Sequence, residues 1–178
     1  RSGLVRTVTR DLSFWTIEAQ LPEGMRWSDH RRDINDIETN DRFTTEYIGF
    51  RNSGIDYLYG YLGDEANTTG WTATWLSGNQ VTITNGPVNF SGFILRKGDI
   101  FQLGSTGHVY QVIADVPWDD PVVTLHRDVI NATVGTYTMY IGRDARFKMK
   151  CVQFPQWRMV DYDQVGWSSP FVFQEVLD

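Results

Sequence analysis

At 178 residues, 41% of them hydrophobic and 21% charged, the chain can bury one sizeable core and does not have the composition of a disordered polymer. Its net charge of −6, from 16 basic and 22 acidic residues, argues against a protein that grips nucleic acid by its phosphates, so no sequence-specific nucleic-acid partner is expected. A lone cysteine, Cys151, rules out an intrachain disulfide and fits assembly in a reducing compartment. No apolar run approaches the roughly 20 residues that cross a bilayer, so no membrane insertion is expected.

The chain opens on Arg1-Ser2-Gly3, with neither an initiator Met nor a signal peptide, and a preceding segment is expected to be missing. Ser13 to Leu21 is the first strand candidate. Trp15, Ile17, Ala19 and Leu21 share one face, and Phe14 breaks the alternation as a bulge would. Residues 28–42 differ from the rest, with Ile34 and Ile37 as their only large apolar side chains. A short surface helix is predicted there, with Ser28 as N-cap, Asp29 in the first turn and a mobile loop as the competing reading. Tyr57, Tyr59 and Tyr61 alternate as on one face of a strand.

Beyond residue 70, turn signals recur at short intervals. Thr72–Trp75 and Val81–Thr84 flank Leu76-Ser77-Gly78-Asn79-Gln80 as a hairpin. Ile100–Leu103 and Val109–Ile113 flank Gly104-Ser105-Thr106-Gly107-His108 as a second. Val122–His126, Thr136–Ile141, Phe147–Phe154 and Phe171–Val176 complete the strands. The expected fold is mainly β, an antiparallel barrel or sandwich with one short helix or loop insertion. It forms a single domain over 1–178, with 28–63 as the insertion. Trp75, Val81, Ile83, Phe101, Leu103, Tyr110 and Val112 are expected to point inward.

Little chemistry is visible. His30, His108 and His126 show no i, i+4 pair that would suit zinc. Cys151, in an apolar strand after Lys148-Met149-Lys150, reads as a buried inert thiol. There is no P-loop, nucleophile elbow or dinucleotide fingerprint. Gly98-Asp99 reads as a turn whose Asp bonds the local backbone, and Asp119-Asp120 as a loop tip. The chain is therefore expected not to be an enzyme, with no catalytic residues, no cofactor and no metal. A glycosidase would need two carboxylates roughly 5–9 Å apart, and no such pair stands out.

The phrases that do stand out resemble those of a family of small minor tail proteins of long-tailed bacteriophages, of the distal tail, baseplate or tail-completion type. They are Arg1-Ser2-Gly3 with Arg6, Arg10, Trp15, Ile17, Ala19 and Leu21-Pro22. They continue with Leu95-Arg96-Lys97-Gly98-Asp99-Ile100-Phe101-Gln102-Leu103-Gly104, Val109-Tyr110-Gln111-Val112, Asp115, Thr124-Leu125-His126-Arg127 and the closing Phe171-Val172-Phe173-Gln174-Glu175. Residues 28–70 are least similar. The resemblance implies a structural protein of the virion tail, assembled in the host cytoplasm. Its partners would be copies of itself in a homo-oligomeric ring and other phage tail proteins. Lys97, Lys148 and Lys150, near strand ends, would protect sheet edges before assembly.

The candidate assembly interface combines charge and aromatics: Arg31, Arg32, Asp33, Asp36, Tyr57, Tyr59 and Tyr61. Between Asp29 and Glu46 lie six acids and three arginines, which could set register against a partner. The alternative function is a glycan-binding β-sandwich module for host-surface recognition. It would use the aromatic patch of Tyr57, Tyr59, Tyr61, Trp71 and Trp75 as a stacking platform.

Overall fold

The structure, a computed structural model, describes residues 4–10, 14–41, 43–51, 59–87, 91–105, 107–131 and 133–177, with the backbone alone for 4–10, 40 and 41. It is mainly β, 45% strand against 11% helical, as the abundance of Thr, Val and aromatic residues implies. The strands in chain order are β1 (Leu4–Arg10), β2 (Trp15–Gln20), β3 (Met25–Arg26), β4 (Glu46–Gly49), β5 (Thr72–Ser77), β6 (Gln80–Ile83), β7 (Phe93–Leu95) and β8 (Ile100–Leu103). They continue with β9 (Val109–Gln111), β10 (Val116–Pro117), β11 (Val122–Thr124), β12 (Thr136–Ile141), β13 (Arg146–Gln153), β14 (Trp157–Asp161), β15 (Gln164–Trp167) and β16 (Phe171–Glu175). Helix α1 (Trp27–Asp36) follows β3 and passes into a turn of π-helix at Ile37–Asp41. The chain divides into two compact units, Arg1–Glu46 with Met149–Val176, and Tyr47–Lys148 with Leu177–Asp178.

The second unit holds an antiparallel sheet in the order β11-β6-β5-β12-β8-β9. The two predicted hairpins are both present. β5 pairs β6 across the tight Gly78-Asn79 turn, and β8 pairs β9 with Phe101 opposite Tyr110. The first hairpin is longer than the sequence suggests, because Ser77 and Gln80 also pair, which leaves two turn residues instead of five. The sheet curls until its outer strands meet. Val112 bridges Leu125, the Ile113 amide donates to the Thr124 carbonyl at 3.1 Å, and the His126 amide donates to the Gln111 carbonyl at 3.0 Å. Curling hides sheet edges, the recurrent liability of β proteins.

Inside lie Ala73, Val81, Ile83, Phe101, Leu103, Tyr110, Val112, Val123, Leu125, Met139 and Ile141, with Trp75 half-buried against them. All seven residues expected to face inward therefore belong to this core or pack on it. β8 departs from period 2, because all four of its residues are buried. Its one polar member, Gln102, is satisfied. Its amide donates to the carbonyls of Ser105 and Gly107, and its Oε1 accepts from the Arg146 amide at 3.0 Å.

The Arg96-Lys97-Gly98-Asp99 phrase acquires a structural meaning. Gly98 takes φ +102°, which favours glycine, and Asp99 accepts from the amides of Arg96 and Leu62, both at 2.7 Å. The Arg96 guanidinium reaches Asp64 at 2.8 Å, so one turn ties the 62–64 segment to the start of β8.

In the first unit, β1, β2, β16 and residues 149–153 of β13 lie side by side in that order. Period-2 burial is plain. Cys151, Phe173 and Ile17 form one cross-strand row, with Trp15, Met149, Phe171 and Glu175 buried on the same face. Cys151 is buried, as its apolar strand implies. Glu175 accepts the Trp15 amide at 3.1 Å. The strands that follow residue 70 are thus divided between the two units. Residues 149–176 pair with the N-terminal strands, a contact between chain ends that alternation cannot reveal. Two smaller expectations also change. Phe14 precedes β2, and the register shift lies in β1, between Val5 and Thr7. Lys148 and Lys150 sit within β13, not at its ends.

Candidate functional site

The predicted helix exists, but its cap differs. Arg26 occupies the N-cap without a side-chain hydrogen bond, and Ser28 lies inside the first turn. The exposed amides are satisfied from the β14–β15 turn. Asp163 accepts the Ser28 amide at 2.9 Å and the Ser28 hydroxyl at 2.5 Å through its carboxylate, and its carbonyl accepts the Trp27 amide at 2.9 Å. Trp27 stacks on Trp157, ring centroids 4.4 Å apart. Asp163 holds φ +56°, a backbone that Asp and Asn tolerate better than most residues.

The Ser28 hydroxyl, then the Ser28 amide, hold the Asp163 carboxyl below its ordinary range. A depressed carboxyl pKa contributes stability above the unfolded value and loses it as pH falls through the folded one. The protection factor of the Ser28 amide in hydrogen exchange should therefore drop on acidification below about pH 4. Asp163→Asn should reproduce that loss at neutral pH, since Asn keeps the turn but not the charge. Equal Ser28 protection in both proteins at neutral pH would contradict this account.

Arg31, Arg32, Asp33 and Asp36 are brought together on α1 and are exposed. Arg32 faces Asp36, and His30 faces Asp33, each at 4.0 Å. Such surface pairs contribute less than about 1 kcal/mol each and leave the charges available to a neighbour. The tyrosines belong to the second unit. Tyr57 lies outside the described residues. Tyr59 stacks on Phe50 at 4.9 Å and meets Phe147 edge-on. Tyr61 packs edge-on against Trp71, and its hydroxyl donates to the Ile94 carbonyl at 2.5 Å. Burial pushes both phenols up to about 12. Residues 59–71 carry no strand, so the Tyr59–Tyr61 alternation is not that of a pleated face. Trp71 is buried, and the half-buried Trp75 donates its indole N–H to the Gly78 carbonyl. Tyr59, Tyr61, Trp71 and Trp75 thus each make an internal contact.

Two surface features went unnoticed in the sequence. The first is the β14–β15 hairpin, with β14 at the edge of a small sheet ordered β14-β15-β3. Met159 is 50% exposed, Val160 51% and Tyr162 94%, and Trp157 is also exposed. Val160 is the extra residue where the pairing shifts register, and its Cγ1 lies over Gly166. A Cβ at position 166 would stand 2.7 Å away, so a larger residue there would make the Val160 side chain shift. The run Trp157-Arg158-Met159-Val160-Asp161 mixes charge and apolar residues without clear alternation, which is why it escaped a period-2 search.

The second is a groove of about 590 Å³ in the second unit, lined by Arg51, Arg143, Arg146, Asp144, Tyr140 and small polar residues. A neighbouring hollow of about 550 Å³ shares Arg51, Thr68, Thr69, Arg143 and Asp144 with it. Arg51 stands 3.1 Å from Asp144, close enough for an ion pair but not aligned for a hydrogen bond. Arg143 and Arg146 have no ion-pair partner among the described residues. Arg143 sits in the 3-10 turn Gly142–Asp144 that follows β12, and Arg146 starts β13 with its amide held by buried Gln102. The signal available in the sequence was the Gly142-Arg143-Asp144-Ala145-Arg146 corner, with two arginines three residues apart beside a glycine that requires φ +60°.

Of the histidines, His108 is buried, His30 stands at the helix surface, and His126 accepts the Gln111 amide on Nδ1 at 2.9 Å. Among the described residues, no group of three or more His, Cys, Asp or Glu is placed to hold a metal ion, and no helix is long and apolar enough to cross a membrane. No protein-family model matches the chain, and no curated protein is significantly similar to it.

Proposed function

We propose that the protein is a structural component of a bacteriophage tail, assembling with copies of itself into a ring at the tail tip, baseplate or tail end and contacting other tail proteins there. The observation that carries this reading is the β14–β15 hairpin. Exposed Met159, Val160 and Tyr162 on one short hairpin form an apolar surface of the sort that marks protein contacts. Charged α1 adjoins it through the Trp27–Trp157 stack and the Asp163–Ser28 bonds. An apolar centre beside a charged margin is the usual anatomy of a specific interface, and the charges suit the choice of register. The sequence resemblance supplies the biological setting.

The test uses two full-length variants, Met159→Ser/Val160→Thr/Tyr162→Ser and Arg31→Glu/Arg32→Glu, each compared with the parent by circular dichroism and by electron microscopy of tails. All the substituted side chains are exposed, so both variants should fold. The hairpin variant should fail to enter tails, and the charge-reversed variant should enter at severely reduced yield. Tails that form at parental yield with the hairpin variant incorporated would remove the basis for this function.

A further inference from the structure

We propose that the arginine-lined groove of the second unit is a binding site for an acidic saccharide, a pyranose bearing a carboxylate or a phosphate. The inference does not depend on the tail assignment. Guanidinium groups present planar, paired N–H donors that match the two oxygens of a carboxylate or phosphate. Among the described residues the groove has three of them against one carboxylate, a local positive balance in a chain whose formal charge is −6. Arg51 is engaged by Asp144, which leaves the unpaired Arg143 and Arg146 to take the anion.

The remaining lining specifies the rest of the ligand. Thr68, Thr69, Ser105, Thr138 and Tyr140, all hydroxyl-bearing, are among the residues that line the groove. Side chains that both donate and accept suit a polyhydroxylated ring. Among the described residues the lining offers only Met139 and Ile141 as aliphatic side chains, so a peptide would find little there in which to anchor an apolar residue. The volume of about 590 Å³ lies within the range of small-molecule sites. The site is also pre-positioned. Gln102, 1% exposed, joins the carbonyls of Ser105 and Gly107 to the Arg146 amide, and the Arg146 stem lies against Gly49, where a Cβ would stand 3.3 Å from Cγ. The buried amide fixes the backbone from which Arg146 reaches the groove, so less of the chain has to be ordered on capturing a ligand.

The experiment is isothermal titration of the full-length protein at low salt with four probes. These are oligogalacturonate, glucose 6-phosphate, neutral dextran oligosaccharide and inorganic phosphate, with an oligoglutamate peptide as a fifth arm. Saturable binding of oligogalacturonate or glucose 6-phosphate is expected, with dextran inert and affinity falling as salt rises. Arg143→Ala/Arg146→Ala should bind the acidic sugar at least about tenfold more weakly, with an unchanged thermal melt. Should that variant melt early, Asp144→Asn decides instead. Removing the groove's one carboxylate should tighten binding, and weaker or unchanged binding counts against the site. The proposal fails if neither acidic sugar binds saturably, if dextran binds as well, or if the double variant binds normally. It also fails if inorganic phosphate or oligoglutamate binds as tightly as the acidic sugar, which would make the groove a simple anion trap or a dock for an acidic protein segment.

Discussion

Phe101→Ala is expected to lower the stability of the second unit by roughly 3–5 kcal/mol, the cost of deleting a fully buried aromatic ring from a closed core. Phe101 lies in β8 between two neighbours of the curled sheet, opposite Tyr110 on β9 and Ile141 on β12, and has no exposed surface. Its ring sits 6.4 Å from that of Tyr110, so the cavity would open beside the residue whose hydroxyl accepts the Ile130 amide at 2.9 Å. Chemical denaturation followed by tryptophan fluorescence reads the loss, because Trp71 and Trp75 pack on the same core. A loss below about 1 kcal/mol would mean that the strands collapse around the gap and that the core is not close-packed.

The contrast between Phe101 and Gln102 shows where the sequence was informative. The alternation of Phe101, Leu103, Tyr110 and Val112, broken by Gly104 and Gly107, has few physical solutions other than a hairpin with one apolar face. Gln102 sits at an outward position by that same logic, yet it is buried because three backbone groups outside β8 satisfy it. Nothing local announces that. Helix α1 follows the same rule. Its existence was legible from Asp29, Ile34 and Ile37, but its cap comes from Asp163, 135 positions away, which displaced Ser28 from the role its residue type suggested. The pairing of β16 with β2 is similarly remote, since any strand with aromatics at alternate positions could have filled that place.

The candidate site was less legible than the fold. The charged half of the expected interface is exposed on α1 as anticipated, whereas Tyr59 and Tyr61 are turned to internal packing by Phe50, Trp71 and the Ile94 carbonyl. The hairpin and the groove were missed for opposite reasons. Met159, Val160 and Tyr162 look like ordinary core residues until the sheet order places β14 at an edge. Arg51, Arg143 and Arg146 look like ordinary surface residues until the chain brings position 51 beside the corner at 142–146.

Asp99→Ala is the second large effect, an expected loss of about 1–3 kcal/mol at neutral pH, because two part-buried amides lose their acceptor and water can reach them only in part. Asp99 is 3% exposed, and its two carboxylate oxygens serve different donors, the Leu62 amide on Oδ1 and the Arg96 amide on Oδ2. Alanine leaves both without this acceptor, and the 62–64 segment keeps its bonds through Asp64 to Arg96 and Phe93. The dependence on pH follows from the balance at this carboxyl. Burial pushes its pKa above the ordinary value, and the two amide bonds together with the Arg96 charge oppose that without cancelling it. A carboxyl whose folded pKa is raised contributes most below its unfolded pKa, and that part is lost as pH rises through the folded value. The stability gap between the parent and Asp99→Ala should therefore widen as pH falls from neutrality toward about 4 and level off below it. Denaturation midpoints of both proteins at matched ionic strength across that interval measure the gap. A gap that narrows on acidification would show that the amide bonds outweigh burial, so that it is the ionised carboxylate that holds the turn.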